Sequence, residues 1–199
     1  VNGIPLAVIE AKSPAGHGKK GPTIDEGISQ SIRNQFNDEI PQLFVYSQLL
    51  LSINGHDGRY GTCHTPMKFW AAWREEDITY AQMYALRNHK LSTEQIHALF
   101  DHRPSVDLKW YQQLIDGGEL AVSGQDKLLI SLLSPERLLE MTRFFTLFDK
   151  KTGKIVARYQ QVFGIKRLIE RISHKRPDGG RQGGVIWHTT GSGKSFTMV

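Results

Sequence analysis

The sequence predicts an α/β chain in two parts, about 1–133 and about 134–199, and three observations carry that expectation. Leu6, Ala7, Val8 and Ile9 form a continuous apolar run of buried-strand type, and a helical pattern follows it. The chain closes on a second strand–loop–helix pattern, VIWHTTGSGKS at 185–195. With 39% hydrophobic and 23% charged residues, the 199 residues can bury a core, which excludes wholesale disorder.

The elements follow in order. Asn2-Gly3 and Pro5 punctuate the start, and Glu10-Ala11-Lys12 ends the first strand. Residues 13–22 (SPAGHGKKGP) read as a loop. Thr23 is the predicted N-cap of a helix over about 24–37, with Glu26 completing a capping-box pattern. Leu43 to Ile53 reads as a strand that ends in Asn54-Gly55, more loop leads to Arg59-Tyr60-Gly61-Thr62, and Met67 to Trp73 reads as a further strand. The stretch 75–133 is polar, helical in pattern and without recognisable chemistry. Ser134-Pro135-Glu136 then opens a helix to about Phe145, with Ser as N-cap and Pro at the first helical position. Lys151-Thr152-Gly153-Lys154 reads as a turn. A helix over about Val156 to His174 carries Val162, Ile165, Leu168, Ile169 and Ile172 at helical spacing. Residues 175–184 form a connector, and Val185-Ile186-Trp187 reads as a short buried strand.

Twenty-five basic residues against 20 acidic ones give a net charge of +5 and a pI near 9.3, a balance that favours polyanionic partners. The single cysteine, Cys63, excludes a disulfide framework and a Cys-based zinc module, and it fits a reducing, cytoplasmic setting. No apolar run approaches the roughly 20 residues that span a bilayer, so no membrane role is expected. The chain opens on Val1 and stops at Val199 within an incipient helix, and so reads as a piece of something longer.

Gly191-Ser192-Gly193-Lys194-Ser195 is the most specific signal. Glycines let backbone N–H groups converge on phosphate oxygens, and a helix N-terminus adds partial positive charge. Thr190 to Gly193 supply the cradle, Lys194 would reach the β- and γ-phosphates, and the Ser195 hydroxyl would ligate Mg²⁺. The first glycine of the usual pattern is His188 here, as in helicase-like variants. The expectation is purine nucleotide binding. Upstream, Gln161 is the candidate reader of the adenine edge, with Gln160 as the alternative.

Glu10-Ala11-Lys12 is the second signal. Alternation along a strand puts Glu10 and Lys12 on one face. Phosphodiester hydrolysis uses that pair: a carboxylate to hold a hard cation, and a lysine to orient or deprotonate water and offset developing charge. Alone, Glu-x-Lys is a common salt-bridged strand end. Gln30, on the helix that follows, adds to it, because nucleases of the PD-(D/E)xK fold place a glutamine there.

Taken in order, Glu10-Ala11-Lys12, Gln30, LFVYSQLLLSINGHDGRYGT, SPERLLEMTRFFTLFD, ARYQQVFGIKRLIERI and GGVIWHTTGSGKS resemble the restriction (R) subunit of type I restriction-modification enzymes over nearly the whole chain. The resemblance implies a PD-(D/E)xK nuclease-like mixed sheet with a helical insert at 1–133, followed by the start of a RecA-like P-loop lobe of a superfamily 2 motor at 134–199. It implies Glu10, Lys12 and Gln30 as catalytic, Glu10 and Ser195 as metal ligands, and ATP and Mg²⁺ as cofactors. The implied activity is cleavage of double-stranded DNA after ATP-driven translocation. Modification and specificity subunits would be the partners, the latter reading the DNA sequence. Two departures stand out. Asn34 replaces the Tyr of the family's Gln-x-x-x-Tyr motif, and the family's metal-binding Asp belongs on a strand before Val1. On that ground residues 1–199 alone are expected to be inactive. Lys19 and Lys20 are weaker candidates for phosphate contacts.

Overall fold

The computed structural model describes residues 2–14, 21, 23–187 and 193–197. The chain is mixed α/β. Strand β1 (Ala7–Ala11) pairs in parallel with β2 (Leu49–Ile53), and β2 pairs antiparallel with β3 (Gly58–Gly61). Helix α1 (Ile24–Arg33) makes the crossover between β1 and β2. As the middle strand, β2 is buried at all five positions, which explains its near-continuous apolar run.

Alternation along β2 divides the core in two. Leu50 packs with Ile28, Phe44 and Trp70 on the face covered by α1. Leu49, Leu51 and Ile53 pack on the other face with Tyr60, Trp73 and residues of three further helices. These are α5 (Gly124–Leu133), α6 (Pro135–Phe144) and α7 (Tyr159–Ser173), which contribute Leu128, Leu132, Met141, Val162 and Phe163. Packing is therefore continuous across positions 133 and 134. Helices α2 (Tyr80–Arg87), α3 (Thr93–Phe100) and α4 (Ser105–Asp116) form the expected helical stretch. Met83 is the one fully buried residue of the three; α3 and α4 have none, and hold together through the Phe100–Tyr111 ring pair and the Tyr111 hydroxyl on the Leu91 N–H. A hairpin of β4 (Thr146–Asp149) and β5 (Gly153–Val156) sits between α6 and α7; it turns at 150–152, so Gly153 and Lys154 of the expected turn already pair in β5, and the helix expected from about Val156 begins at Tyr159.

The expected helix starts are present. Thr23 Oγ1 accepts from the Glu26 N–H at 3.2 Å while Glu26 Oε2 accepts from the Thr23 N–H at 2.8 Å. Ser134 caps α6 by accepting from the Arg137 N–H. Four expectations are corrected. The first helix stops at Arg33 rather than near 37, because the buried Gln35 side chain is held by the Ser31 carbonyl and the His64 N–H. The strand expected over 43–53 begins at Leu49; Pro41 starts a 3-10 turn, and Val45 and Tyr46 are exposed. Met67–Phe69 is also a 3-10 turn, its Phe69 and Trp70 N–H groups turned back onto the Pro66 and Met67 carbonyls, and only Ala71 bridges to Tyr60. Val185–Trp187 forms no strand: Val185 and Trp187 are about nine-tenths exposed, and no described strand lies beside them to accept their hydrogen bonds.

An ionic cluster closes the larger core. The buried Arg137 guanidinium bonds Glu75, Asp77 and Glu140 at 2.8–3.2 Å and stacks near Trp73 and Phe163. Lys166 pairs with Asp77, and Arg167 with Glu76, so α7 joins the same segment. Glu75 is itself buried, and its other oxygen accepts from Trp73 Nε1 at 2.8 Å. Arg137→Ala would leave the Glu75 carboxylate without its guanidinium, and the expected loss is about 3–5 kcal/mol of local stability, read by hydrogen exchange of α6 and α7 in the complete subunit. Burial alone would raise the Asp77 carboxyl, but bonds and charge from Lys166 and Arg137 outweigh it and hold Asp77 below its ordinary value. Its stabilising effect is thus present above 3.8 and lost as pH falls through the lower folded value. Asp77→Asn is expected to remove that part of the acid sensitivity.

Candidate functional site

The register of β1 on β2 sets Glu10 opposite Ser52, and Lys12 follows two residues later with its N–H on the Ile53 carbonyl at 2.8 Å. Both side chains lie on the face covered by α1. There the Lys12 ammonium donates to Glu10 Oε1 at 2.8 Å and to Gln30 Oε1 at 2.5 Å. The Glu10 and Lys12 side chains are about a fifth exposed, so the pair is shielded but open to solvent. The three residues singled out by sequence are thus brought together. Asn34 closes α1 as its C-cap, donating its N–H to the Gln30 carbonyl, and has no bond to Glu10 or Lys12 among the described residues.

The contact depends on two residues that sequence reasoning missed. A Cβ on Gly27 would sit 2.3 Å from Ser52 Oγ and 3.4–3.5 Å from Glu10 Cγ and Lys12 Cγ. Glycine therefore lets α1 approach the sheet closely enough for Gln30 to reach Lys12. Ser52 is fully buried, and its hydroxyl is committed to the Ile24 carbonyl at 2.9 Å. The available signals were a glycine inside a helical pattern and a lone serine in an apolar strand.

Mg²⁺ fits this set in part. The ion takes one or two carboxylates and keeps several waters. Glu10 offers one carboxylate, one oxygen of which already meets Lys12. Among the described residues no group of three or more His, Cys, Asp or Glu converges, so Glu10 is one ligand of such a site and not the whole of it.

The second candidate cluster lies at the start of α7. The buried Gln161 accepts from the Arg158 N–H at 2.7 Å and donates through Nε2 to the Gly193 carbonyl at 2.9 Å. Gln160, the alternative, has a buried Oε1 with no hydrogen-bond partner among the described residues. Gly193 has φ +81°, a conformation that favours glycine. Lys194 and Ser195 are exposed in a 3-10 turn, Lys194–Thr197. His188, Thr190, Gly191 and Ser192 lie outside the described residues, as do Lys19 and Lys20. Between the two clusters, the buried Tyr60 hydroxyl, its ionisation pushed up by burial, donates to the Ala157 carbonyl just before α7 at 2.8 Å.

The described residues thus hold a carboxylate–lysine–glutamine cluster on a small mixed sheet and, at the start of α7, a buried glutamine bonded to Gly193. Residues 1–69 match the family described as type I restriction enzyme R protein N terminus, and residues 160–199 match the SWI2/SNF2 ATPase family. The type I restriction enzyme HindI endonuclease subunit of Haemophilus influenzae is 30% identical over all of the chain and 16% of its own length. Two putative type I restriction enzyme endonuclease subunits of Methanocaldococcus jannaschii, MjaIXP and MjaVIIP, are 26% and 30% identical over the whole chain and 17% and 15% of theirs. Over its whole length the chain is similar to endonuclease subunits of type I restriction enzymes, and it spans about a sixth of the length of these relatives. No helix among the described residues is long and apolar enough to cross a membrane.

Gly27→Ala is the sharpest test of the local geometry. It should push α1 off the sheet and break the Gln30–Lys12 bond. The expected stability loss is about 1–3 kcal/mol, as for other overpacked sites, with loss of any activity that depends on Lys12. Thermal unfolding and activity of the complete subunit read the two effects.

Proposed function

We propose that the chain is the part of an ATP-dependent DNA endonuclease and translocase subunit that joins a PD-(D/E)xK-type nuclease to a RecA-like motor lobe. The observation that carries this reading is the Lys12 ammonium held between Glu10 and Gln30 on the α1 face of the sheet. Double-stranded DNA is the substrate, cut after ATP-driven translocation, in a cytoplasmic complex with modification and specificity subunits. The division near 133/134 is a functional one: α6 and α7 share the nuclease core yet lead into the loop at 191–195.

In the nuclease, Gln30 fixes the Lys12 ammonium beside Glu10. Lys12, held as the ammonium, orients the attacking water and offsets charge that develops on the phosphate. Glu10 supplies one ligand to Mg²⁺, which when bound stabilises the charge of the scissile phosphate. In the motor, the Gly191–Gly193 backbone and Lys194 hold the nucleotide phosphates, with Thr190 and Ser192 in the same cradle and Ser195 as the Mg²⁺ ligand. Gln161 reads the adenine edge. Its bond to the Gly193 carbonyl links that reading to the phosphate loop. One carboxylate binds Mg²⁺ weakly, so residues 1–199 by themselves do not cut DNA at a useful rate; ATP hydrolysis also needs a water-positioning group and an arginine finger, which these residues do not supply.

Two substitutions separate the activities. Lys194→Ala in the complete subunit should abolish ATP hydrolysis, and DNA cleavage with it, because the charge on the transferred phosphate is gone. Near-normal ATPase in that variant would remove the P-loop assignment. Glu10→Ala or Lys12→Ala should stop cleavage while DNA-stimulated ATPase persists. A translocase without nuclease activity would instead behave as wild type in both assays.

A further inference from the structure

Beside the Glu10–Lys12–Gln30 cluster lies an open cleft of about 530 Å³, lined by Lys12 of the sheet side and by Asp25, Glu26, Ser29, Gln30 and Arg33 of α1. Glu26, Ser29, Gln30 and Arg33 recur at helical spacing, so they share one face of α1. Arg33 therefore stands one turn beyond Gln30, at the C-terminal end of the cleft, while the carboxylates of Asp25 and Glu26 stand at the other end.

We infer that Arg33 forms a second phosphate subsite, which binds the phosphodiester next to the scissile one in the DNA strand entering the cleft. The inference rests on the nuclease reading above. Lys12 gives two of its three ammonium donors to Glu10 and Gln30 and has one left for the attacking water or the scissile phosphate, so a neighbouring phosphate calls for another cation. Arg33 is different. Its side chain is 58% exposed, and its one ion pair among the described residues, to Glu39, is long at 3.4 Å and itself exposed. Exposed pairs of this kind contribute little, so the guanidinium exchanges readily onto a better acceptor. A planar guanidinium fork matches two phosphate oxygens. The opposed charges give the cleft a polarity: Asp25 and Glu26 repel the strand from one end and Arg33 attracts it at the other. Ser29, exposed between them, adds a neutral donor. The strand thus extends from Lys12 towards the C-terminus of α1.

The test compares Arg33→Gln, Arg33→Lys and Glu39→Gln in the complete subunit within its assembled complex, measuring DNA cleavage and ATPase side by side across a salt series. Arg33→Gln should cut at least tenfold more slowly with ATPase unchanged, and its log–log salt slope should be shallower by about one. Arg33→Lys should recover part of the rate, because it keeps the charge and loses the fork. Glu39→Gln should cut as fast as wild type or faster. Wild-type cutting by Arg33→Gln at every salt concentration would overturn the subsite. So would a Glu39→Gln variant as slow as Arg33→Gln, since the arginine would then be acting through its ion pair. Glu10→Ala, run in parallel, keeps the two readings apart: cleavage by it would remove the nuclease assignment itself. An inactive Glu10→Ala beside an unimpaired Arg33→Gln would remove the subsite alone.

Discussion

Strand β2 has no face in contact with water, and the arrangement of the other elements depends on that. A strand buried on both sides must be covered twice, so α1 lies on one face and α5, α6 and α7 on the other. Parallel pairing with β1 requires a crossover, which α1 makes, and the same crossover lays Gln30 over the end of β1. The candidate nuclease cluster is therefore a by-product of how the middle strand is buried. Its residues are neighbours because the strand end and the crossover helix are.

The second half of the chain is fastened to this sheet by polar contacts as well as by apolar packing. Tyr60 holds the Ala157 carbonyl, and Lys154 of β5 donates to the Ser47 carbonyl and Gln48 Oε1 just before β2. Burial lowers the Lys154 ammonium, whose bonds to neutral oxygens offset part of its lost hydration. With the Arg137 cluster, these contacts fix the start of α7, and through Gln161 the position of Gly193, relative to the strands that carry Glu10.

Much of this was legible in the sequence where a local rule decides the outcome. Thr23 with Glu26, and Ser134 with Pro135, specify helix starts by their own hydrogen bonds. Glu10 and Lys12 share a face because strands have a period of two. The legible part ended where partners distant in sequence decide. An apolar run over 43–53 does not say where pairing begins, and pairing begins only at Leu49, where β1 is alongside. Met67–Trp73 is aromatic enough for a strand, yet its Phe69 and Trp70 N–H groups are spent on the local Pro66 and Met67 carbonyls, and only Ala71 reaches Tyr60. Val185–Trp187 has strand composition without a described neighbour to pair with. The glutamine was nameable; its bond to Lys12 was not, since that depends on how deeply α1 sits.

That depth is set jointly by Gly27 and Ser52, and the two positions are consequently not free to vary independently. A methyl group at 27 collides with the hydroxyl at 52, and the hydroxyl cannot swing away without abandoning the Ile24 carbonyl. Were Ser52 first replaced by glycine, the space left by its side chain would admit alanine at 27, and the helix could keep its depth through a different division of the same volume. Among relatives, small residues at the two sites should therefore trade places as a pair, with the order of the changes constrained: the strand residue must shrink before the helix residue can grow.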